Sequence, residues 1–200
     1  MTMMKRLTAL VLALATLCLT LAGCGGGDTT DNDAQSGGST LVYGSGDYTR
    51  INPAMDEHGE INVLLFDGLT DHDGTGQIVP RLAERWDYDP DTMTYTFHLA
   101  QGVTWHDGQP FTADDVVWTL SAIRSQSGVL YEQFSAVKDV WSDEQGAAHI
   151  SFERPSPLFV YTLAEEGASI LPKHLYDGKD WLTAEAVTNP VGTGPFRFVE

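Results

Sequence analysis

The stretch "MTYTFHLAQGVTWHDGQPFTADDVVWTL", residues 93–120, contains the signals of a strand, a turn and a helix in immediate succession. Between Met93 and Leu99, apolar residues alternate with threonine and histidine. This period of two is typical of a half-buried strand, because successive side chains of a strand point to opposite faces of the sheet. The pattern therefore predicts a strand that carries His98 on its polar face.

The second half of the stretch has the pattern of a turn followed by a capped helix. Asp107-Gly108 is a turn signal, and Thr112 is a favourable N-cap residue. Asp114 and Asp115 then occupy the first helical turn, where the positive end of the helix dipole stabilises each carboxylate by roughly 0.3–1 kcal/mol. The predicted buried stripe of this helix consists of Val116, Val117, Leu120 and Ile123.

The neighbouring side chains of His106 and Asp107 raise the question of acid–base chemistry in the turn. The six histidines of the chain include no pair at the i, i+4 spacing of a helical zinc site. No serine lies in a Gly-x-Ser-x-Gly motif, and the sequence has no phosphate-binding loop. These observations predict no cofactor and no enzymatic activity, and they favour an architectural role for the turn. A surface hydrolase that uses His106 and Asp107 is the alternative.

The sequence on either side of this stretch predicts hairpins and short helices, so the fold class is α/β without a strict β-α-β repeat. Turn residues between apolar runs indicate two hairpins, and in the second hairpin Ala148, Ile150 and Phe152 fall on one face. The predicted elements are hairpins over 69–80 and 138–155, a helix over 60–69 that ends at Gly68, a helical turn over 81–86, helices within 155–164 and after Pro172, and a strand over 196–198.

The N-terminus has the features of a bacterial secretory leader. Lys5 and Arg6 precede an uncharged run rich in leucine and alanine, which ends in "LAGC", residues 21–24. The small residues before Cys24 resemble the lipobox of bacterial lipoproteins, and this resemblance implies cleavage before Cys24 and lipid on its sulfur. The predicted segments are a signal peptide over residues 1–23 and a lipidated, flexible, Gly/Ser-rich tether over residues 24–40.

The charge of the chain narrows the possible partners. Its formal net charge is −17 at pH 7. Binding to nucleic acid needs clustered lysine and arginine against phosphates, and docking on anionic lipid needs a basic surface. We therefore predict no nucleic-acid partner, and attachment to the membrane through the lipid anchor only.

The longer stretch "IVPRLAERWDYDPDTMTYTFHLAQGVTWHDGQPFTADDVVWTL", residues 78–120, resembles the signature of the family 5 extracellular solute-binding proteins. This family comprises the peptide- and nickel-type receptors of ABC importers. Further similar motifs follow the same order along the chain, and the resemblance covers residues 41–200. These motifs are "INPA", "LLFDGLT", "RPSPLF", "ILPKHLY" and "NPVGTGPFRF".

The resemblance implies a fold like that of the periplasmic binding proteins, with two lobes that close on the ligand and an accessory subdomain inserted in lobe I. By this pattern, residues 41–69 begin lobe I, residues 70–168 form the accessory subdomain, and residues 169–200 return to lobe I. The sequence reaches Glu200 within the predicted strand, so we expect a chain that is cut short, with lobe II beyond it.

The resemblance also implies where a ligand is bound. In relatives, the loop after the first Leu-x-Pro-like segment lines the cleft, as do an aromatic residue after the long helix and the segment after "PLFVYTL". His58 and Met55 are the weak candidates for metal ligands, and otherwise no metal site is predicted. The candidate ligand-binding residues are Met55, Asp56, Glu57, His58, Gly59, Tyr131, Glu165 and Glu166.

The expected function follows from the lipobox together with the family resemblance. We expect a lipid-anchored substrate-binding protein at the outer face of the cytoplasmic membrane or in the periplasm, which delivers peptides to the permease subunits of an ABC importer. Uptake of nickel or another metal chelate by the same fold is the alternative, and His58 and Met55 motivate it.

Overall fold

The computed structural model describes residues 42, 44, 51–55, 59–125 and 128–199. The chain divides into two units, residues 1–44 and residues 45–200, and every element below belongs to the second unit. Within these described ranges, no helix is both long and apolar enough to cross a lipid bilayer. Cys24, the predicted leader and the tether lie outside the described residues.

The strands among the described residues of the second unit form two antiparallel sheets. Strands β1 and β2 form a two-stranded hairpin, and the other four strands form a sheet with the order β3-β4-β6-β5. Both hairpins predicted from the turn residues are therefore present. The strand bounds are Thr70–His72 (β1), Ile78–Pro80 (β2), Ala83–Asp89 (β3), Thr94–Leu99 (β4), Val137–Ser142 (β5) and Ala148–Phe152 (β6).

One helix of 13 residues packs against the four-stranded sheet, and shorter helices lie elsewhere in the described part of the second unit. The long helix follows the quoted turn, as its capping pattern predicts. The α-helices are Gly59–Leu65 (α1), Ala113–Ser125 (α2), Phe159–Thr162 (α3) and Lys173–Tyr176 (α4). Single turns of 3-10 helix lie at Gln133–Ala136, Glu166–Ala168 and Glu185–Val187.

One part of the hydrophobic core lies where α2 packs against the four-stranded sheet. The alternation in β4 buries Tyr95 and Phe97 and leaves His98 partly exposed on the other face, as predicted. In β6, the predicted inward face is confirmed, because all three of its apolar residues are buried. On α2, Val116, Leu120 and Ile123 are buried and Val117 is half-buried. The apolar face of each element is thus covered by its neighbour, which removes nonpolar surface from water.

The N-terminus of α2 is held by a buried carboxylate. The Thr112 backbone N–H and hydroxyl donate to Oδ2 of Asp115, at 2.9 and 3.3 Å. The Trp105 indole N–H donates to the same oxygen at 3.4 Å, and the Lys173 backbone N–H donates to Oδ1 at 3.1 Å. Asp115 therefore caps α2 and also joins it to the start of α4. Its position in the first helical turn predicted the interaction with the helix dipole but not this long-range contact.

Residues 81–86 were predicted to form a helical turn, and that prediction is wrong. They lead instead into β3, in which Trp86 pairs with Phe97 and Tyr88 pairs with Tyr95 across the strands. The ring centroids of Tyr88 and Tyr95 lie 4.6 Å apart. Cross-strand aromatic pairs stabilise a sheet, and in this segment they outweigh the local helical preference.

Two further predictions near the ends of elements need correction. Helix α1 ends at Leu65, three residues before Gly68. Residues 196–198 are not a strand. Both differences have one cause: the Gly194 and Phe196 backbone N–H groups donate to the carbonyls of Leu65 and Leu64, at 2.9 and 3.0 Å. Residues 192–196 thus satisfy the end of the helix instead of a strand partner, and we call this segment the strap.

Candidate functional site

A cavity of about 750 Å³ lies where three separate segments of the second unit meet. These segments are residues 63–72 with Arg81, residues 129–133 and residues 161–169. Burial distinguishes its floor from its rim: Phe66, Thr70 and Ser169 are buried. The rim carries exposed side chains, which include Val63, Tyr161, His72, Gln133 and Glu165.

A paired carboxylate occupies the floor of the cavity. The Arg81 Nε–H donates to Oδ1 of Asp67 at 2.6 Å, and the Thr193 hydroxyl donates to Oδ2 at 3.0 Å. The Asp67 side chain is 10% exposed, and the Arg81 side chain is 42% exposed. The guanidinium of Arg81 compensates the buried negative charge of Asp67. The hydrogen bond from Thr193 connects the cavity floor to the strap. Sequence reasoning missed the ion pair, because Asp67 and Arg81 lie in two different connecting segments and no spacing rule joins them.

Acidic side chains predominate among the other described lining residues of the cavity. Asp71, Glu165 and Glu166 also line it, whereas Arg81 is the one guanidinium among the lining residues. Glu166 accepts a hydrogen bond at 3.0 Å from the neutral side-chain amide of Asn62, which orients the carboxylate and leaves its charge in place. Asp67 is neutralised by Arg81, and Oδ1 of Asp71 lies 3.6 Å from Nδ1 of His72, which also lines the cavity. Among the described lining residues, Glu165 and Glu166 therefore retain carboxylates that no basic side chain of the lining pairs.

The structure brings some of the predicted ligand-binding residues to this cavity. Glu165 and Glu166 line it, as do Leu130 and Gln133, which flank Tyr131 in the same segment. Tyr131 itself is 44% exposed and lies outside the lining set.

The predicted loop before α1 is described only at its two ends. Met55 is half-buried and packs against the core, and Gly59 begins α1. The Val129 N–H donates to the carbonyl of Ala54 at 3.2 Å, which brings the end of this loop beside the segment 129–133. Asp56, Glu57 and His58 lie outside the described residues. Within the ranges that the structure describes, no three His, Cys, Asp or Glu residues form a group that could hold a metal ion.

Both ring nitrogens of His106 bond the backbone of the strap. Its Nδ1 accepts from the Gly192 N–H at 3.2 Å, and its Nε2 lies 2.9 Å from the Gly194 carbonyl oxygen. An amide N–H can only donate and a carbonyl can only accept, so the ring is neutral and carries its proton on Nε2. Neither nitrogen is available as a base for a substrate, which favours the architectural interpretation of the turn over the hydrolase alternative.

Asp107 is likewise engaged by its neighbours. Its Oδ2 lies 2.7 Å from Nε2 of His174, and its Oδ1 accepts from the Gln109 backbone N–H at 3.0 Å. Burial raises the pKa of the carboxyl, but the hydrogen bonds from His174 and Gln109 outweigh it and hold the pKa below the ordinary value of 3.8. The pair joins the quoted turn to α4.

We expect Asp107→Asn to reduce the dependence of stability on acid pH. A carboxyl with a lowered pKa in the folded state stabilises the protein above its ordinary pKa, and this contribution is lost as the pH falls through the lowered value. The difference in unfolding free energy between the natural protein and the variant should therefore be largest near pH 6 and shrink below about pH 4. Urea titrations between pH 3 and pH 6 measure it. A difference that stays constant across this range would contradict the prediction.

The sequence profile of the bacterial extracellular solute-binding proteins, family 5 (middle), matches residues 77–200. The dipeptide-binding protein of Escherichia coli K12 is 34% identical over 185 residues, which cover 79% of this chain and 35% of that protein. The oligopeptide-binding protein AppA of Bacillus subtilis is 28% identical over 220 residues and is matched over 40% of its length. The chain thus spans little more than a third of the length of these relatives.

Solved structures show the same fold. NikZ from Campylobacter jejuni, in complex with Ni(L-His), superimposes with a TM-score of 0.71 and 35% identity, covering 78% of this chain and 31% of NikZ. AppA from Bacillus subtilis, in complex with a nonapeptide, superimposes with a TM-score of 0.69 and 27% identity, covering 78% and 32%. The four-stranded sheet and its helix therefore belong to an α/β fold of the peptide- and nickel-receptor type.

Proposed function

Because this chain belongs to the bacterial extracellular solute-binding proteins of family 5, we propose that it is part of the substrate-binding protein of an ABC importer and that its ligands are peptides. The observation that carries this proposal is the cavity of about 750 Å³, whose wall joins three segments distant in sequence. Two relatives are named for dipeptides and oligopeptides, and AppA was solved with a nonapeptide.

The cavity has the composition that a peptide site requires. Apolar side chains such as Val63, Phe66 and Leu130 line it together with polar ones such as Thr70 and Gln133. Small-molecule sites combine apolar walls with a few polar groups that fix the orientation of the ligand. In this proposal the cavity forms the lobe I side of the cleft, and a second lobe closes over it by a hinge motion.

The acidic side chains of the lining, above all Glu165 and Glu166, indicate the charge of the preferred ligand. Asp71, Glu165 and Glu166 line the cavity together, and Glu165 is exposed at its rim. A peptide amino group or a lysine side chain would gain charge-assisted hydrogen bonds there, whereas an acidic side chain would be repelled. We therefore infer a preference for cationic peptides over acidic ones.

The remaining parts of the proposal concern the location and the partners of the protein. Lipid on Cys24 and the Gly/Ser-rich segment 25–40 would hold the binding domain at the outer face of the cytoplasmic membrane or in the periplasm, near the permease subunits. We also propose that the accessory subdomain inserted in lobe I has its boundaries near residues 70 and 168. The mass of the mature N-terminus tests the anchor: an unmodified Cys24 would exclude it.

Uptake of a metal chelate is the second candidate function. The observation that favours it is the similarity to NikZ, which was solved with Ni(L-His). His58 and Met55 remain the residues proposed for such a ligand in this chain.

We expect the double variant Glu165→Gln, Glu166→Gln to bind cationic peptides more weakly. Titration calorimetry of the natural full-length protein with tri-lysine, tri-alanine and tri-glutamate should show the tightest binding for tri-lysine. The double variant should bind tri-lysine about threefold to tenfold more weakly, where a tenfold loss corresponds to about 1.4 kcal/mol of binding free energy. Its affinity for tri-alanine should change little. Glu153→Gln is the matched control, because Glu153 is exposed and does not line the cavity.

The same titrations distinguish the candidate functions. Equal loss for tri-lysine and tri-alanine in the double variant would contradict the charge preference but leave the peptide assignment in place. No saturable binding of any peptide, together with tight binding of a nickel–histidine chelate, would replace the peptide assignment by the chelate one.

A further inference from the structure

We propose that His106 is a positioning residue for the cavity wall: its neutral ring clamps the strap, residues 192–196, against the C-terminal end of α1. The functional part of this inference rests on the proposed role of the cavity in ligand binding. Its structural part rests on contacts alone and is tested separately below.

The first step is the connection between the quoted turn and the strap. Besides the two ring contacts, the His106 backbone N–H donates to the Gly192 carbonyl at 2.9 Å. Three hydrogen bonds from one residue, two of them to Gly192 and one to Gly194, hold the two segments together although about 86 positions separate them in sequence. The ring is half-buried, so water competes only partly for these bonds.

The second step is the connection between the strap and α1. The Gly194 and Phe196 N–H groups satisfy the carbonyls of Leu65 and Leu64 at the end of the helix. These carbonyls have no partner within a helix that stops at Leu65, and an unsatisfied helix end is costly when it is buried. A Cβ atom on Gly192 would stand 1.7 Å from the Leu65 carbonyl oxygen, so only glycine allows this close approach.

The third step leads from the strap to the cavity itself. Thr193 donates to Asp67, which lies on the cavity floor between Phe66 and Gly68. Val63 and Phe66, at either side of the end of α1, also line the cavity. The clamp therefore fixes both a helix that carries one wall and a carboxylate of the floor, while His106 itself touches neither. This is why the residue acts through the strap and is a positioning residue.

Amide hydrogen exchange on the natural full-length protein tests the clamp without any ligand. In His106→Ala, we expect the Gly194 and Phe196 amides, and the Phe66 amide that bonds Asn62 in α1, to exchange about tenfold faster or more. Amides of the four-stranded sheet should keep their protection. His98→Ala is the matched control, because His98 lies on the outward face of that sheet and pairs with Asp87.

Two further variants separate local from global effects. His106→Gln keeps one acceptor and one donor on the side chain and should restore most of the protection, whereas Gly192→Ala should reproduce the loss from the other side of the contact. Unchanged exchange at Gly194 and Phe196 in His106→Ala would overturn the clamp. Uniformly faster exchange across the sheet would also overturn it, because the residue would then only contribute to global stability.

Peptide affinity tests the positioning role. Tri-lysine should bind His106→Ala about threefold or more weakly than the natural protein, with recovery in His106→Gln. Unchanged tri-lysine affinity alongside accelerated exchange would overturn positioning. If the natural protein binds no peptide, the proposed function is refuted. The exchange rate of the Phe66 amide, which belongs to a cavity-lining residue, then decides whether His106 fixes this wall.

Discussion

The variant Asp115→Asn should be among the least stable single substitutions in this chain, with a loss of about 3 kcal/mol in unfolding free energy. Asp115 is 5% exposed, and its two oxygens accept from donors of three different segments. An asparagine side chain offers one acceptor oxygen. Its amide nitrogen would therefore face either the Thr112 or the Lys173 backbone N–H, and a buried donor left without an acceptor costs about 1–3 kcal/mol.

Thermal denaturation of this 200-residue chain measures this loss. For a chain of this size, each kcal/mol shifts the midpoint by about 2–4 °C, so we expect a decrease of about 6–12 °C. Asp114→Asn is the control, since the neighbouring Asp114 side chain is 73% exposed and its ion-pair partner, Nζ of Lys173, lies 3.8 Å away. An exposed pair of this kind contributes little. Equal midpoints for the two variants would contradict the role assigned to Asp115.

Truncation of Phe152 should have an effect of similar or larger size. Phe152 is 1% exposed, and its ring centroid lies 4.8 Å from that of Phe159 and 6.1 Å from that of Tyr95. Phe159 in turn packs on Phe134, at 5.0 Å. We expect Phe152→Ala to cost about 3–5 kcal/mol, because it removes a large buried side chain and leaves a cavity between the sheet and two short helices.

Urea denaturation checks this prediction with two comparisons. Phe152→Leu retains most of the apolar volume and should cost less than half as much as Phe152→Ala. Leu158→Ala removes an apolar side chain that is 70% exposed, and it should change the unfolding free energy by no more than about 0.5 kcal/mol. If Phe152→Ala and Leu158→Ala were equally mild, the aromatic cluster would not be the core of this region.

Most of the fold could be predicted where apolar residues recur in the sequence at the spacing of a strand or a helix. The alternation before Leu99 predicted β4, and the Thr112 cap with its apolar stripe predicted α2. The prediction was wrong at residues 81–86, because pairing with β4 decides that segment and a propensity argument contains no information on the partner strand. It was wrong again at residues 196–198, where the partner is a helix end.

The candidate site was harder to predict from the sequence, because its residues also meet only in the tertiary structure. The family resemblance directed attention to Glu165 and Glu166, and both line the cavity. Asp67 and Arg81 carried no local signal, since an ion pair between two connecting segments depends on how the tertiary structure brings them together. The His106 ring was correctly set apart from catalysis, but its partners, Gly192 and Gly194, cannot be found without the tertiary structure.

The close approach of the strap to α1 bears on the order in which this protein folds. The bond from Thr193 to Asp67 closes a loop of 126 residues, so the loop-closure entropy must be overcome before this contact contributes any stability. Contacts of such high sequence separation form slowly compared with hairpins and isolated helices. During synthesis, the Leu64 and Leu65 carbonyls at the end of α1 therefore remain without their N–H donors from the strap until residue 196 has left the ribosome. The helix itself is synthesised more than a hundred residues earlier.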